Sequence, residues 1–280
     1  MTRFILIRVR LLINLSPCNV KSNSISCLHI SKKLSGTLIN VKKLLRGLKA
    51  LASLVNPKTW HPFLHAWEKT RFDHDFTVSY SQFGEDLALL NLLGQKTGRY
   101  LDIGAHHPSR FSNTRLLYDR GWSGINVDAN PELINAFKRY RPRDVNLWAC
   151  VGLRPSYTFT IFKEPAISTF NQEWKKKFLA SGRSVHKEIN VQGTTLRALL
   201  DTYFPEGALD CLLIDAEGAD YEILESADFS TLPSERHPRF ILVEAPQPVA
   251  VAMQEKTITL LKEFGYKPAV VLTHSTILTK

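Results

Sequence analysis

The feature that most restricts the fold of this chain is a regular alternation of short apolar runs with helix-like segments from Tyr80 onward. Strand-like runs cover 99–104, 124–128, 210–215 and 239–244, and segments of helical periodicity separate them. Strands that alternate with helices predict a mostly parallel sheet with helices on both faces. Because ligands of such sheets bind beyond the carboxyl ends of the strands, we look for site residues there.

The remaining elements follow from periodicity and from residues that favour helix ends. Pro131 suits the first turn of a helix, and Thr194 and Thr195 suit the start of another. We also expect strands over 145–151, 157–162, 268–272 and 276–279, and helices over 81–93, 112–118, 131–140, 171–180, 195–203, 219–224 and 250–264.

The first strand ends in the segment Leu101–Pro108, LDIGAHHP, which contains a single glycine. Gly104 allows the backbone to approach a ligand closely and to take φ values that other residues resist. A dinucleotide site needs G-x-G-x-x-G, but here Ala105, His106 and His107 follow the glycine. The phosphate-binding pattern G-x-x-x-x-G-K-[ST] does not occur in the sequence either. The missing glycines exclude a nicotinamide dehydrogenase of that type.

Two acids close the first two strands, Asp102 before the glycine and Asp128 after the next apolar run. S-adenosylmethionine has no phosphate, and it carries a sulfonium, an amine and a ribose diol. We expect Asp102 to face its methionyl end and Asp128 to bind its ribose hydroxyls. Alternatively, Asp128 caps the helix that begins near Pro131, and the two roles can coexist.

A series of short motifs then narrows the interpretation. In order along the chain they are Ser81–Asp86, Leu101–Pro108, Phe111–Thr114, Arg120–Asp128, Ala149–Gly152, Ser168–Thr169, Thr194–Leu196 and Ile214–Gly218. Together they resemble the FkbM family of S-adenosylmethionine-dependent methyltransferases, over roughly residues 78–247. Cys150 and Asp220 are mild departures, since the family more often has a small aliphatic residue and a glutamate there.

The resemblance implies an α/β fold of the Rossmann-like class I methyltransferase type, with a mostly parallel seven-stranded sheet and helices on both faces. It also implies methylation of hydroxyl groups, usually in sugars, glycans or polyketides. It places Gln82 and Glu85 against the methionyl end of the cofactor, although Glu85 and Asp86 can instead compensate a helix dipole. The full set expected to bind the cofactor is Gln82, Glu85, Asp102, Gly104, Ala105, Asp128, Ala129, Cys150 and Asp215.

The candidate catalytic residues follow the strand at 210–215, in the sequence Asp215-Ala216-Glu217-Gly218. Period-two alternation would put Asp215 and Glu217 on one side. We expect Glu217 to act as the general base and Asp215 to orient cofactor or substrate. His106 and His107 are competing bases because histidine titrates near neutral pH, though either can simply bond the turn.

Glu244 ends the adjacent strand and adds a third acid to this edge. The three acids can share a proton, and one of them can cap the helix near Ala219. Oxygen ligands of this kind can also hold a divalent metal, but we expect none to be required. Residues 163–192, including Ser168, Thr169 and Trp174, are expected to form a lid that selects the substrate.

The excess positive charge lies in the first 75 residues, which contain 13 Lys and Arg and 3 Asp and Glu. The chain as a whole has a net charge of +10, so residues 76–280 are neutral. A neutral body argues against nucleic acid as a partner. We divide the chain into a basic, partly disordered N-terminal arm, 1–75, and a methyltransferase domain, 76–280.

Within the arm, apolar residues recur at helical spacing over 38–55, with four basic residues between them. This pattern is typical of a basic amphipathic helix that lies on an anionic membrane surface. It equally suits a helix that docks on the domain and exposes its basic face. The basic residues are Lys42, Lys43, Arg46 and Lys49.

The four cysteines, at 18, 27, 150 and 211, have no metal or redox spacing. Cys150 and Cys211 lie in apolar runs and are expected to be buried reduced thiols, which favours a reducing compartment. No stretch approaches the roughly 20 apolar residues of a membrane-spanning helix. We therefore expect a cytoplasmic protein that can also contact the inner face of the membrane.

Two hypotheses of different kinds result. The first is an S-adenosylmethionine-dependent O-methyltransferase that acts on a hydroxyl of a sugar, glycan or glycolipid. The second is a non-catalytic module that keeps the fold and tethers glycan machinery at a membrane surface. The retention of Asp102, Asp128 and Glu217 favours the enzyme.

Overall fold

A computed structural model describes residues 77–94, 97–244 and 255–280. The strands are β1 Arg99–Ile103, β2 Ser123–Asp128, β3 Val145–Trp148, β4 Cys150–Val151, β5 Ser156–Phe162, β6 Val185–Thr194, β7 Cys211–Ile214, β8 Phe240–Glu244, β9 Lys267–Val271 and β10 Ser275–Thr279. The α-helices are α1 Glu85–Leu93, α2 Arg115–Asp119, α3 Pro131–Tyr140, α4 Gln172–Ala180, α5 Leu196–Tyr203, α6 Asp220–Glu225 and α7 Lys256–Glu263.

Seven strands form the central sheet in the order β3-β2-β1-β7-β8-β10-β9. Pairing is parallel from β3 through β8, and β10 runs antiparallel to both of its neighbours. The chain leaves β1 toward β2 and β3 and returns to the other side of β1 as β7. The predicted mostly parallel sheet is confirmed, and its switch point lies between β1 and β7, where such folds bind ligands.

Helices cover both faces of this sheet because the side chains of each strand alternate. In β1, Leu101 and Ile103 belong to the larger buried cluster, and Tyr100 belongs to the smaller one on the opposite face. Helices α5, α6 and α7 contribute to the larger cluster, whereas Leu89 and Leu93 of α1 pack into the smaller one. Two buried faces explain why the strands are almost continuously apolar.

The strand predicted over 145–151 and the helices predicted over 81–93 and 112–118 have clearly different bounds, and the last of these begins only at Arg115. The strand expected over 145–151 is two strands, because β3 pairs with β2 whereas β4 leaves the sheet to pair with β6. The helix expected over 81–93 begins only at Glu85. Gly84 has a φ of 88°, and the preceding segment is bonded to the Asp86 carboxylate through the Ser79 and Ser81 hydroxyls and the Tyr80 amide.

A second sheet, β4-β6-β5, carries the segment expected to be a lid. The long strand β6 pairs antiparallel with β5, so 185–192 is sheet and not loop. The segment between these strands, residues 163–184, holds a 3₁₀ turn over Pro165–Ile167 and helix α4. We use the name lid for residues 163–184.

Several expectations concern residues outside the described ranges. They are the division at residue 75, the amphipathic helix over 38–55, Cys18 and Cys27, and residues 250–254 of the last predicted helix. Among the helices described, none has the length and apolar character needed to cross a membrane. Cys150 and Cys211 are buried and free, as expected.

Candidate active site

Two neighbouring cavities lie at the carboxyl ends of the central strands. The first, of about 550 Å³ including its opening to solvent, is bordered by the ends of β1, β2, β4 and β7 and by the lid. The second, of about 440 Å³ counted in the same way, extends toward Gln82 and Phe111. Five residues line both cavities: Gly104, His106, Ala166, Asp215 and Glu217.

The turn after β1 brings these residues together. Gly104 has a φ of 78°, and a Cβ at this position would collide with the backbone carbonyl oxygen of Asp215. The amides of Gly104 and Ala105 both donate to the carbonyl oxygen of Val127, at 3.0 and 3.2 Å. Glycine is therefore required here so that the ends of β1 and β7 can meet closely.

Asp128, at the end of β2, faces the first cavity with a carboxylate held by the backbone. Its oxygens accept from the amides of His106 (2.9 Å) and Asn130 (2.7 Å). Burial raises the pKa of Asp128 to about 7, although these two bonds act to lower it. The alternative that Asp128 caps α3 is wrong, because the Asn130 side chain accepts from the Glu132 amide as the N-cap. Ala129 and Cys150 line the same cavity.

Asp102 faces the second cavity and is almost fully buried. It accepts a hydrogen bond of 2.6 Å from the Thr114 hydroxyl. Burial raises the pKa of Asp102 to about 6, whereas the bond from Thr114 and the nearby charge of Arg141 lower it. Gln82 and Ala105, both predicted to bind the cofactor, line the same cavity.

Arg141 supports this side of the site and was missed from the sequence. Its guanidinium is fully buried and donates to the carbonyl oxygen of Pro108 and to the hydroxyls of Ser112 (2.6 Å) and Thr114 (2.7 Å). One side chain thus ties the loop after β1 to the partner of Asp102. In the sequence RYRPRD, nothing distinguishes Arg141 from the solvent-exposed Arg139.

Glu85 is the one predicted cofactor residue that lines neither cavity. Its carboxylate is almost fully buried, and it accepts from the Phe83 amide (2.8 Å) and the Ser275 hydroxyl (3.2 Å). These bonds fix the turn before α1 against β10. The expectation of direct cofactor contact is therefore replaced by a structural role.

The two histidines after Gly104 have separate roles. His107 accepts from the amides of Ser109 and Arg110 at its Nδ1, so it holds the turn and lines neither cavity. His106 has a φ of 54°, lines both cavities, and its buried Nε2 has no hydrogen-bond partner among the described residues. Burial, followed by the charges of Arg110 and His107, lowers the pKa of His106 to about 4, so its ring is neutral at pH 7.

The acidic turn, residues 215–218, follows β7. The strand ends at Ile214, and Glu217 and Gly218 have φ angles of 49° and 86°. The alternation argument is therefore wrong for this segment, although Asp215 and Glu217 line the same two cavities. A left-handed conformation at a residue with a Cβ costs roughly 1–2 kcal/mol, so surrounding contacts must hold Glu217 in place.

The acids of this edge raise one another's pKa values. Burial, followed by Asp215 and Asp220, raises the pKa of Glu217 to about 8. The Asp215 side chain is open to the cavities, yet withdrawal from bulk water and the charge of Asp102 raise its pKa to about 6.

Asp220, and not one of the three predicted acids, is the structural carboxylate of this edge. It accepts from the amides of Ala216 (3.0 Å) and Glu244 (3.2 Å) and so joins the acidic turn to β8. Glu244 lines neither cavity, and burial raises its pKa to about 9. Within the described ranges, no group of three His, Cys, Asp or Glu side chains is arranged to hold a metal ion.

The lid forms part of the cavity walls. Pro165, Ala166, Ser168 and Phe170 line the first cavity, and Ala166 also lines the second. Trp174 does not line either cavity but packs on Gly218, where a Cβ would collide with its indole ring. The lid thus meets the site both at the cavity wall and at the acidic turn.

Comparison with known families and structures gives the following matches. A sequence model described as Methyltransferase FkbM domain matches residues 102–268. No curated protein matches significantly.

Similar solved structures include three methyltransferases. A TehB-like SAM-dependent methyltransferase from Corynebacterium glutamicum is 12% identical, covers 80% of this chain and 100% of its own, and has a TM-score of 0.34. The precorrin-6y C5,15-methyltransferase from Geobacter metallireducens is 15% identical, with coverages of 74% and 92% and a TM-score of 0.33. An O-methyltransferase from Bacillus cereus in complex with SAH is 10% identical, with coverages of 81% and 92% and a TM-score of 0.35.

Proposed function

Since this chain belongs to the FkbM family of S-adenosylmethionine-dependent methyltransferases, we propose that it methylates a hydroxyl group of a sugar, glycan or glycolipid. When bound, the cofactor supplies an activated methyl group on a sulfonium. The residues of this chain must bind that cofactor, align the acceptor hydroxyl and remove its proton.

The described residues fit the cofactor in two respects. Neither cavity is lined by Lys or Arg, and the turn after β1 lacks the second and third glycines that a dinucleotide site needs. Each cavity instead presents a buried acid, Asp128 in the first and Asp102 in the second. We propose that Asp128, Ala129 and Cys150 hold the adenosyl half, and that Gln82, Asp102, Gly104 and Ala105 hold the methionyl half.

The observation that carries the proposal is the set of five residues common to both cavities. In S-adenosylmethionine the sulfonium joins the adenosyl half to the methionyl half. Residues that border both cavities are therefore placed to surround the reactive methyl group. They include Asp215, Glu217 and His106, the three residues that the sequence put forward for catalysis.

Within this set we propose Glu217 as the general base. Its carboxyl accepts no hydrogen bond from the described residues, and its pKa near 8 matches proton transfer close to neutral pH. Asp215 would orient the cofactor or the acceptor. His106 is the competing base, because its ring is neutral at pH 7 and its Nε2 has no hydrogen-bond partner among the described residues. A general base contributes about 10²–10⁴-fold, whereas alignment can contribute roughly 7–11 kcal/mol, so positioning should dominate.

The lining of the cavities supports an uncharged acceptor group. Four acids face the junction or its two sides, and no lysine or arginine lines either cavity. An anionic acceptor would be repelled by these carboxylates, whereas a sugar hydroxyl carries no charge to repel. The acids are Asp102, Asp128, Asp215 and Glu217.

Calorimetric titration of the full-length protein with S-adenosylhomocysteine tests the cofactor half of this proposal. We expect a single binding site, and the absence of binding by folded protein would overturn the proposal. A panel of methyl glycosides, oligosaccharides and glycolipids, with release of S-adenosylhomocysteine as the readout, tests the acceptor half. Turnover with amines and none with hydroxyl acceptors would contradict it.

We also propose that the basic segment 38–55 contacts an anionic membrane at the inner face, with the protein otherwise in the cytoplasm. The support is the sequence pattern alone, four basic residues among regularly spaced apolar ones. Flotation with vesicles that contain phosphatidylserine tests it. Replacing the four basic residues by glutamine in the full chain should abolish flotation, and unchanged flotation would contradict the proposal.

A further inference from the structure

The acidic turn is bonded to the lid through two of its backbone carbonyls. The Thr169 hydroxyl donates to the carbonyl oxygen of Glu217 at 3.0 Å, and the Asn171 side-chain amide donates to that of Gly218 at 2.7 Å. Both accepting residues have positive φ angles. The lid therefore holds the part of the turn whose backbone conformation is least favourable on its own.

The two donors are themselves fixed. Thr169 is buried, and its backbone exchanges two hydrogen bonds with Thr160 of β5, at 2.9 and 3.1 Å. Asn171 is the N-cap of α4, where its side-chain oxygen accepts from the amides of Glu173 and Trp174. Each donor thus links the acidic turn to a regular element and not to a loop.

The lid also covers the turn by direct packing. The Trp174 indole lies so close to Gly218 that any side chain there would displace it. The same segment supplies Ala166 to the wall of both cavities. Movement of the lid would therefore change the cavity wall and release the acidic turn together.

We propose that Thr169 and Asn171 are positioning residues, which hold Glu217 at the junction of the two cavities when the lid is seated. The proposal rests on the proposed function for the role of Glu217, but it concerns where the carboxyl is placed. When the lid packs on the acidic turn, it also places the carboxyl of Glu217. The carboxyl is then in place only when the lid covers the site.

The test follows the carboxyl of Glu217 by ¹³C NMR in the full-length protein labelled at its glutamate side chains. Its resonance is the one lost in Glu217→Gln. In the unaltered protein it should titrate near pH 8, because burial and the charges of Asp215, Asp220 and Glu164 raise its pKa to about 8. Thr169→Val keeps the shape but removes the donor, and the midpoint should move down toward about 4.3, the value of an unperturbed glutamate.

Matched variants separate positioning from general stability. Thr169→Ser keeps a hydroxyl and should retain the high midpoint. Asn171→Ser keeps a capping oxygen but cannot reach Gly218, and it should lower the midpoint as Thr169→Val does. Thr195→Val, which removes the cap of α5 outside both cavities, should leave the midpoint unchanged.

An unchanged Glu217 midpoint in folded Thr169→Val and Asn171→Ser would overturn the proposal. Failure of the proposed function gives a different result. If Glu217→Gln retained full turnover with a genuine acceptor, Glu217 would not be the base, yet the titrations above would still report whether the lid places it.

Discussion

The two sides of the site hold their acids in opposite ways. On the side proposed to bind the cofactor, Asp102 accepts a hydrogen bond from a threonine hydroxyl, and Asp128 accepts hydrogen bonds from two backbone amides. In the acidic turn, the carboxylates of Asp215 and Glu217 receive no hydrogen bond from the described residues, although the turn's backbone is bonded to the lid. A carboxylate whose oxygens are bonded suits a fixed binding role, whereas one without a bond is free to exchange a proton with an acceptor.

The largest expected effect comes from removing the unbonded carboxyl at the junction. Glu217→Gln keeps the shape of the side chain and should lower turnover by about 10²–10⁴-fold, the usual contribution of a general base. Affinity for S-adenosylhomocysteine, measured by calorimetry, should change little. Glu244→Gln is the matched control, because Glu244 lies at the same sheet edge but lines neither cavity. Equal turnover in Glu217→Gln and Glu244→Gln would show that Glu217 is not the general base.

The next prediction tests whether the buried guanidinium of Arg141 stabilises the loop after β1. Arg141→Lys keeps the charge but loses the planar set of donors to Pro108, Ser112 and Thr114. We expect the free energy of unfolding in urea to fall by about 2–3 kcal/mol, since buried bonds to a charged group are lost. Arg139→Lys, at an exposed position in the last turn of α3, should change it by less than about 0.5 kcal/mol. Similar values for both variants would show that Arg141 does not hold the loop.

A third change acts on the bonded carboxylate that faces the first cavity. Asp128→Asn removes the charge and turns one acceptor oxygen into a donor, which opposes the amides of His106 and Asn130. Affinity for S-adenosylhomocysteine should fall about 10- to 100-fold, the range for bonds to a charged group. Asp201→Asn, away from both cavities, serves as the control. If turnover fell strongly while affinity was retained, Asp128 would belong with the catalytic acids.

The last prediction concerns the pH dependence of stability. A carboxyl whose pKa is raised on folding, as for Glu217 to about 8, stays protonated in the folded state while the unfolded chain releases its proton. Its contribution to stability therefore falls as pH rises from its unfolded pKa of about 4.3 to about 8. Urea unfolding at several pH values should show a smaller fall in Glu217→Gln than in the unaltered protein. An identical slope would mean that Glu217 is not buried as described.

Much of the fold could be predicted because its signals are local. Helix α3 has the bounds that Pro131 and the apolar spacing indicated, and Thr195 caps α5 as expected. The second sheet was only partly found. Lys187 interrupts the alternation of Val185, Ile189 and Val191, so the sequence predicts a polar lid segment where β6 lies.

Some residues of the candidate site could be predicted from the sequence, and others could not. The strand-end acids and Gly104 were evident from their places after apolar runs. Glu85 and Asp86 gave no local sign that they bond the segment before α1, and Arg141 gave no sign of burial. These outcomes depend on which distant groups fill the space around a side chain.

Most strands and helices of the central sheet, the family, and the acids at the strand ends can be read from the sequence. Periodicity, glycine and proline act over a few residues, so they can be recognised along the chain. Tertiary packing sets which acids meet at the junction of the two cavities and how they are held. Glu217 takes a left-handed conformation with its carbonyl bonded to Thr169, 48 residues earlier. A contact across that separation is set by the packing of the lid on the sheet, and no local pattern encodes it.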